Sequence, residues 1–171
     1  MSKFAIILAG LALCLPAVAQ VASVTIESKN VAVKYAGPSM KGRKIFGGVA
    51  PYNQVWKIGE GTPAAFNTDA DLVFKGVAVP KGDYTLYVLV GQNTWQLIVN
   101  KATGAKAAAY DPKLDVGRVS MTLAKSPAPV ETCRITLTKT AALAARLEVA
   151  WENTVATAPF HLDRVSDHSE W

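Results

Sequence analysis

The sequence predicts an all-β fold: an antiparallel β-sandwich, jelly-roll-like or a flattened barrel, with about eight to ten short strands. Apolar and polar residues alternate with a period of two along much of the chain. Turn-forming residues separate the alternating stretches at short intervals. Helical periodicity is nearly absent: 105–109 is ambiguous, and in 140–147 the strand alternation from Arg146 onward is the cleaner signal.

The first half of the chain contains short candidate strands. Residues 24–26 and 31–35 flank a polar turn and predict a hairpin. Residues 72–74 and 77–79 flank Lys75-Gly76, which predicts a bulge or a second short hairpin.

A hairpin at the centre of the sheet is predicted next. Residues 84–90 and 95–99 are apolar on both faces, or nearly so, and 91–94 is a turn between them. Strands that are buried on both sides have this composition.

Three later strands have one apolar face each, as in a sheet with one side in solvent. They lie within 118–123, 132–138 and 146–152, and 126–129 is interpreted as a stiff connector. Cys133 falls on the apolar face with Ile135, which predicts a buried thiol.

The N-terminus predicts a signal peptide at 1–19. Lys3 precedes an apolar run at 4–15, and Ala17-Val18-Ala19 has small residues where a signal peptidase reads. A lipoprotein is the alternative, but Leu13 before Cys14 is not small, which disfavours lipidation. We therefore expect an exported protein, periplasmic or extracellular, with a domain at 20–160, a tail at 161–171 and no transmembrane segment.

Charge and cysteine content exclude some classes of protein. The net charge of +5 loses one unit with Lys3, and the remaining basic residues are scattered. This mild excess suits an anionic ligand but is too weak to predict nucleic-acid binding. Without the signal peptide only Cys133 remains, so no intramolecular disulfide is expected.

Between Tyr35 and Ala64 the alternation stops. The segment 37–62 holds too many large apolar residues for disorder, so we expect an ordered loop that closes one end of the sandwich. If Trp56 is fully buried in it, Trp56→Ala should cost about 3–5 kcal/mol. The large apolar residues of this segment are Ile45, Phe46, Tyr52, Val55 and Trp56.

The same segment carries an extended motif. It reads Pro-Ser-x-Lys-Gly-Arg-x-Ile-Phe-Gly-Gly from Pro38, then Pro-Tyr-x-x-Val-Trp-Lys-x-Gly from Pro51. This motif resembles the signature of the DUF2911 family, bacterial and mostly exported domains without an established activity. The similarity continues through 80–86, 110–111, 115–119 and 147–152. The family's usual Asn-Glu pair falls here on Gly61-Thr62, with Glu60 as the nearest carboxylate.

Two interpretations of the basic loop at 41–44 stay open. Arg43 can bind an oxyanion through two parallel hydrogen bonds, with Ser39 and Lys41 as further donors. Alternatively, Arg43 is structural and pairs with Asp111 or Asp115, which is the interpretation we favour.

Two other candidate sites have simpler explanations. Trp56, Tyr52 and Phe46 are able to form a platform for a sugar ring, although their apolar neighbours favour a core role. His161, Asp163, Asp167 and His168 are metal-ligand types, but a solvated tail is the favoured explanation and no metal is predicted.

Motifs of catalysis and of cofactor binding are missing, so no catalytic residue and no cofactor are predicted. The leading hypothesis is non-catalytic binding of a small-molecule, carbohydrate or anionic ligand, small or polymeric, at the end closed by 37–62. A structural or protein-interaction module of the cell envelope is the alternative, and a glycoside-directed hydrolase with Glu60 and Asp111 is the third. The candidate ligand-binding residues are Ser39, Lys41, Arg43, Trp56, Glu60 and Asp111.

Overall fold

The computed structural model describes residues 18–164, which form ten β-strands and two short 3-10 helices, at Gly104–Ala108 and Pro112–Leu114. The all-β prediction is confirmed. The strands are β1 (Gln20–Ile26), β2 (Lys29–Tyr35), β3 (Gln54–Lys57), β4 (Ala64–Thr68), β5 (Leu72–Phe74), β6 (Val77–Val79), β7 (Gly82–Val90), β8 (Trp95–Asn100), β9 (Asp115–Lys139) and β10 (Ala144–Leu162).

All the strands belong to one antiparallel sheet in the order β1-β2-β4-β7-β8-β9-β10-β5-β6, and β3 pairs with the second half of β7. The sheet folds over itself because β9 belongs to both layers. Residues 115–121 of β9 pair with β8, and 122–139 pair with β10. The inner faces of the two layers meet in one core, for example where Phe66 of β4 contacts Phe74 of β5.

A seam at 36–40 joins the two layers after β2. Met40 N donates to Glu131 O at 2.8 Å, and Cys133 N donates to Pro38 O at 2.9 Å. Gly37 allows this approach, since a Cβ there would lie 2.1 Å from the Cys133 carbonyl oxygen. These contacts attach the segment after β2 to β9, while the sheet itself stays open.

Strand length and position differ from prediction in three places. Residues 126–129, interpreted as a connector, lie inside the 25-residue β9, where irregular pairing with β10 lets the strand bulge and bend. Strand β3 lies within the segment predicted to be a loop, and the sequence concealed it because it is only four residues long. Strand β10 extends to Leu162, so the first two residues of the predicted tail belong to the sheet.

The predicted hairpins are confirmed where the turn chemistry was clear. Lys75-Gly76 joins β5 to β6, and 91–94 joins β7 to β8. The first hairpin turns at Glu27 and Ser28, whose φ angles are 45° and 63°. Positive φ at both central residues is the type I′ geometry that matches the twist of paired strands.

Cys133 is fully buried between the layers, as its place in the alternation predicted. Burial raises the pKa of its thiol to about 12. We therefore expect a thiol reagent to label the folded protein slowly at neutral pH and the urea-unfolded protein rapidly, because the thiolate is the reactive form. Rapid labelling of the folded protein, or a disulfide-linked dimer on a non-reducing gel, would contradict this expectation.

Candidate functional site

A groove runs across the outer face of β2, β4 and β7, and we call it the outer groove. The strand register places six outward-facing side chains in two rows along its floor. Two of the six are alanines, and the other four are longer polar side chains. One row is Lys34, Ala65 and Thr85; the other is Ala32, Asn67 and Asp83.

One wall of the outer groove is the connection from β8 to β9, which crosses over β7. Buried hydroxyl groups of β7 hold it in place: Thr85 Oγ1 donates to Ala102 O at 2.6 Å, and Tyr87 OH donates to Ala107 O at 2.7 Å. Lys57 Nζ adds a bond to Ala108 O at 3.2 Å. The position of this wall is therefore determined by the strand beneath it.

At one end of the outer groove, the opposite wall is the turn at 59–63. Glu60 N donates to Ala36 O at 2.8 Å, and Gly59 and Gly61 have φ angles of 140° and 80°. These conformations suit glycine and place Glu60 and Thr62 on the rim.

The outer groove comprises two adjoining cavities of about 510 and 320 Å³, which share Lys34, Ala65, Thr85 and Gly104. Within residues 18–164, no hydrogen bond or ion pair engages the Lys34 ammonium group. Glu60 lies toward one end, and Asp83 lies toward the other, where its carboxylate accepts from Asn67 Nδ2 at 2.7 Å. An unpaired cation thus occupies the middle of the groove.

A polar network anchors the crossing wall at its far end. Asp115 accepts from Tyr110 OH at 2.6 Å, from Asn100 Nδ2 at 2.8 Å and from Arg118 Nε at 3.3 Å. Asn100 Nδ2 also donates to Asp111 O at 2.9 Å, and Asn100 Oδ1 accepts from Ala102 N at 2.9 Å. Burial raises the pKa of Tyr110, and its hydrogen bond to Asp115 raises it further.

The prediction that Arg43 pairs with Asp111 or Asp115 is wrong. The guanidinium group of Arg43 donates to Met40 O at 3.0 Å and to Ser39 O at 2.8 Å. Asp111 instead accepts from Lys113 N at 3.0 Å. Arg43 therefore stabilises its own turn, because these backbone carbonyls are nearer to its guanidinium group than Asp111 or Asp115.

The basic loop itself is an exposed β-turn. Lys41 and Gly42 have positive φ angles, and Arg43 N donates to Met40 O at 3.0 Å. The Lys41 amide N donates to the Glu131 carboxylate at 2.9 Å, while Ser39 Oγ lies 2.9 Å from Thr132 Oγ1. The backbone amide of Lys41 is thus already used to bind a carboxylate of the protein itself.

The aromatic residues divide between core and surface. Trp56 is half-buried and stacks on the fully buried Trp151, with ring centroids 5.4 Å apart. Phe46 is buried against Trp151 and Trp95, whereas Tyr52 is half-buried. The three aromatic side chains therefore do not form one exposed platform.

Of the six candidate ligand-binding residues, Glu60 lines the outer groove. Ser39, Lys41 and Arg43 lie together at the seam, Trp56 stacks beside the core, and Asp111 caps the second 3-10 helix. No cluster of three metal-ligand side chains occurs among residues 18–164, and Asp167 and His168 lie outside this range. No helix within the described part of the chain is long and apolar enough to cross a membrane.

Sequence reasoning missed Lys34, Asn67 and Asp83. Each lies at a polar position of an alternating strand, which is also what an ordinary solvated face looks like. The available signal was the pair Ala32 and Ala65, small residues on the solvent face of neighbouring strands.

A protein-family model matches residues 17–160, and its description is "Protein of unknown function (DUF2911)". The chain belongs to the DUF2911 family. No curated protein and no solved structure matches it significantly. In this DUF2911 domain the match spans the outer groove, the seam and almost all of the described strands.

Proposed function

We propose that this DUF2911 domain is an exported, non-catalytic binding module that holds a polar ligand in the outer groove. The observation that carries the proposal is the unpaired Lys34 ammonium group in the outer groove, where the cross-strand neighbour on β4 is the small residue Ala65. A cation without a protein partner in a walled groove is available to an anionic group of a ligand.

The shape of the outer groove supports binding of a chain-like ligand. Its cavities of about 510 and 320 Å³ lie within the roughly 300–1,000 Å³ range of small-molecule sites. They are continuous across three strands, so the ligand can be one small molecule or a segment of a polymer.

The charges narrow the chemical class of the ligand. Lys34 attracts one carboxylate or phosphate, while Glu60 and Asp83 at the two ends repel further negative charge. Thr62, Thr103 and Asn67 offer hydroxyl and amide groups to neutral polar parts. The best match is a polar chain with a single anionic group, such as an acidic saccharide.

A thermal-shift screen with uronic acids, sugar phosphates and short acidic peptides tests this proposal. A ligand at a hundredfold excess over its Kd should raise the Tm by roughly 5–10 °C. Lys34→Gln should abolish most of the shift, because the anionic group loses its partner. Lys29→Gln, on the same strand but outside the groove, is the matched control and should leave the shift intact.

Filling the groove should also prevent binding. Ala65→Tyr places a ring on the floor, while the exposed position and the β-propensity of Tyr leave the free energy of unfolding within about 0.5 kcal/mol. Ala124→Tyr, an exposed position on β9, is the control. Calorimetric titration should show ligand binding by the control and none by Ala65→Tyr. Unchanged affinity in Ala65→Tyr would exclude the outer groove as the site.

Export is tested separately by intact mass. Protein secreted by the native host should begin at Gln20, because cleavage after Ala19 follows from the small residues before it. A product that keeps residues 1–19, or one lipidated at Cys14, would show that the leader is processed differently.

A further inference from the structure

A cavity smaller than either part of the outer groove lies at the end of the sandwich, and we call it the end cavity. Its volume is about 280 Å³. Three parts of the chain meet there: the segment that includes Lys44 and Tyr52, the β7–β8 turn at Gln92, and the bulge of β10 at Glu152 and Asn153. It shares no lining residue with the outer groove.

The backbone at Glu152 is unusual. Its φ is 54°, a conformation that is costly for a residue other than glycine, and pairing with β9 shifts register on both sides of it. This geometry turns the Glu152 carboxylate toward the segment 37–62, where Oε2 accepts from Ile45 N at 3.0 Å and from Phe46 N at 3.3 Å. Among residues 18–164, Oε1 has no partner and remains able to accept.

Three aromatic side chains line the end cavity; Phe46 and Trp95 are buried, so Tyr52 supplies most of the accessible ring surface. Phe46 and Trp95 meet edge to face with centroids 4.6 Å apart, and Trp95 Nε1 is satisfied by Gly91 O at 3.1 Å. Tyr52 packs against Gly47, where a Cβ would lie 2.6 Å from the tyrosine ring. Tyr52 is half-buried, so part of its surface is open to a ligand.

We propose that the end cavity binds a single neutral sugar ring. Pyranose C–H groups pack on aromatic surface, and their hydroxyls need both donors and acceptors within reach. The end cavity offers Lys44, Gln92 and Asn153 as donors, with the free oxygen of Glu152 as an acceptor. Lys44 and Glu152 have opposite charges, so a charged ligand is attracted by one of these side chains and repelled by the other.

The volume of the end cavity also favours a single sugar ring. A volume of about 280 Å³ lies just below the roughly 300–1,000 Å³ found for small-molecule sites. One sugar ring fills such a space, whereas a longer chain must extend into solvent.

The test is a titration of the folded domain with glucose, galactose and N-acetylglucosamine, followed through amide chemical shifts at millimolar concentrations. At least one sugar should give saturable shifts at Gln92, Asn153 and Thr154, and no comparable shifts at Lys34 or Ala65. Glucuronic acid and glucosamine, titrated in parallel, should bind less tightly than the best neutral sugar. A charged sugar that binds more tightly, or no saturable shift with any neutral sugar, would overturn the proposal.

Two variants at the β7–β8 turn localise the site. Gln92→Ala removes one hydrogen bond and should weaken binding about threefold to tenfold. Asn93→Ala, the neighbouring exposed residue outside the cavity lining, should leave the affinity unchanged. Equal affinities of the two variants would also overturn the proposal. Both positions are exposed, so folding should be retained in each case, and matching amide spectra would verify this.

Discussion

Trp151→Ala should lower the free energy of unfolding by about 3–5 kcal/mol. The indole is fully buried, stacks on Trp56 and meets Phe46 with ring centroids 6.3 Å apart. Its Nε1 also donates to Glu131 O at 3.1 Å, beside the seam. The substitution therefore removes a large packed ring and one of the two hydrogen bonds to Glu131 O, which keeps its bond from Met40 N. Urea denaturation at neutral pH measures the loss.

Trp56→Ala is the matched comparison, because the same ring type is half-buried there. Since part of this ring already contacts water, we expect a smaller loss of about 1–3 kcal/mol. Trp151→Ala should therefore lower the free energy of unfolding by more than Trp56→Ala does. A loss below about 1 kcal/mol for Trp151→Ala would mean that the end of the core is not packed as described.

Asn100→Leu should lower the free energy of unfolding by about 2–4 kcal/mol, although the two side chains are similar in size. Asn100 is fully buried and serves three partners: Asp111 O, Asp115 Oδ1 and Ala102 N. An apolar replacement leaves Ala102 N and Asp115 Oδ1 without this partner, while Asp111 O keeps its bond from Leu114 N; unpaired buried groups cost more than the hydrogen bonds themselves contribute.

Asn93→Leu, on an exposed turn, controls for the change of residue type and should alter the free energy of unfolding by less than about 0.5 kcal/mol. Thermal denaturation compares the two variants. A change in Asn100→Leu as small as that of the control would show that the network does not hold the wall of the outer groove.

Much of the fold was predictable from strict alternation. Val119 and Met121, or Leu147 and Val149, point into the core because every second residue of a strand faces the same side. Strand β3 was not predictable, since Val55 and Trp56 are both half-buried and the alternation has no contrast there. Sheet order was not predictable either, because it depends on which distant edges meet.

The candidate site was less predictable than the fold. Glu60 was identified because it stands next to a conspicuous motif, and it does line the outer groove. In the sequence, Lys34 has the same pattern as any lysine on a solvent-exposed strand face. Only the cross-strand register shows that an alanine lies beside it. Arg43 was misjudged for a related reason: a guanidinium group donates to backbone carbonyls as well as to carboxylates, and the sequence does not show which acceptor is near.

The seam has a consequence for the order in which the protein folds. The contact between Ser39 and Thr132 joins residues that are 93 positions apart, whereas β9 and β10 form a sequence-local hairpin. Closing a long loop costs more chain entropy than closing a short one, so the hairpin should form early and the seam late. In the native state the amides of Met40 and Cys133 should then exchange with solvent through openings that leave the β9–β10 hairpin intact.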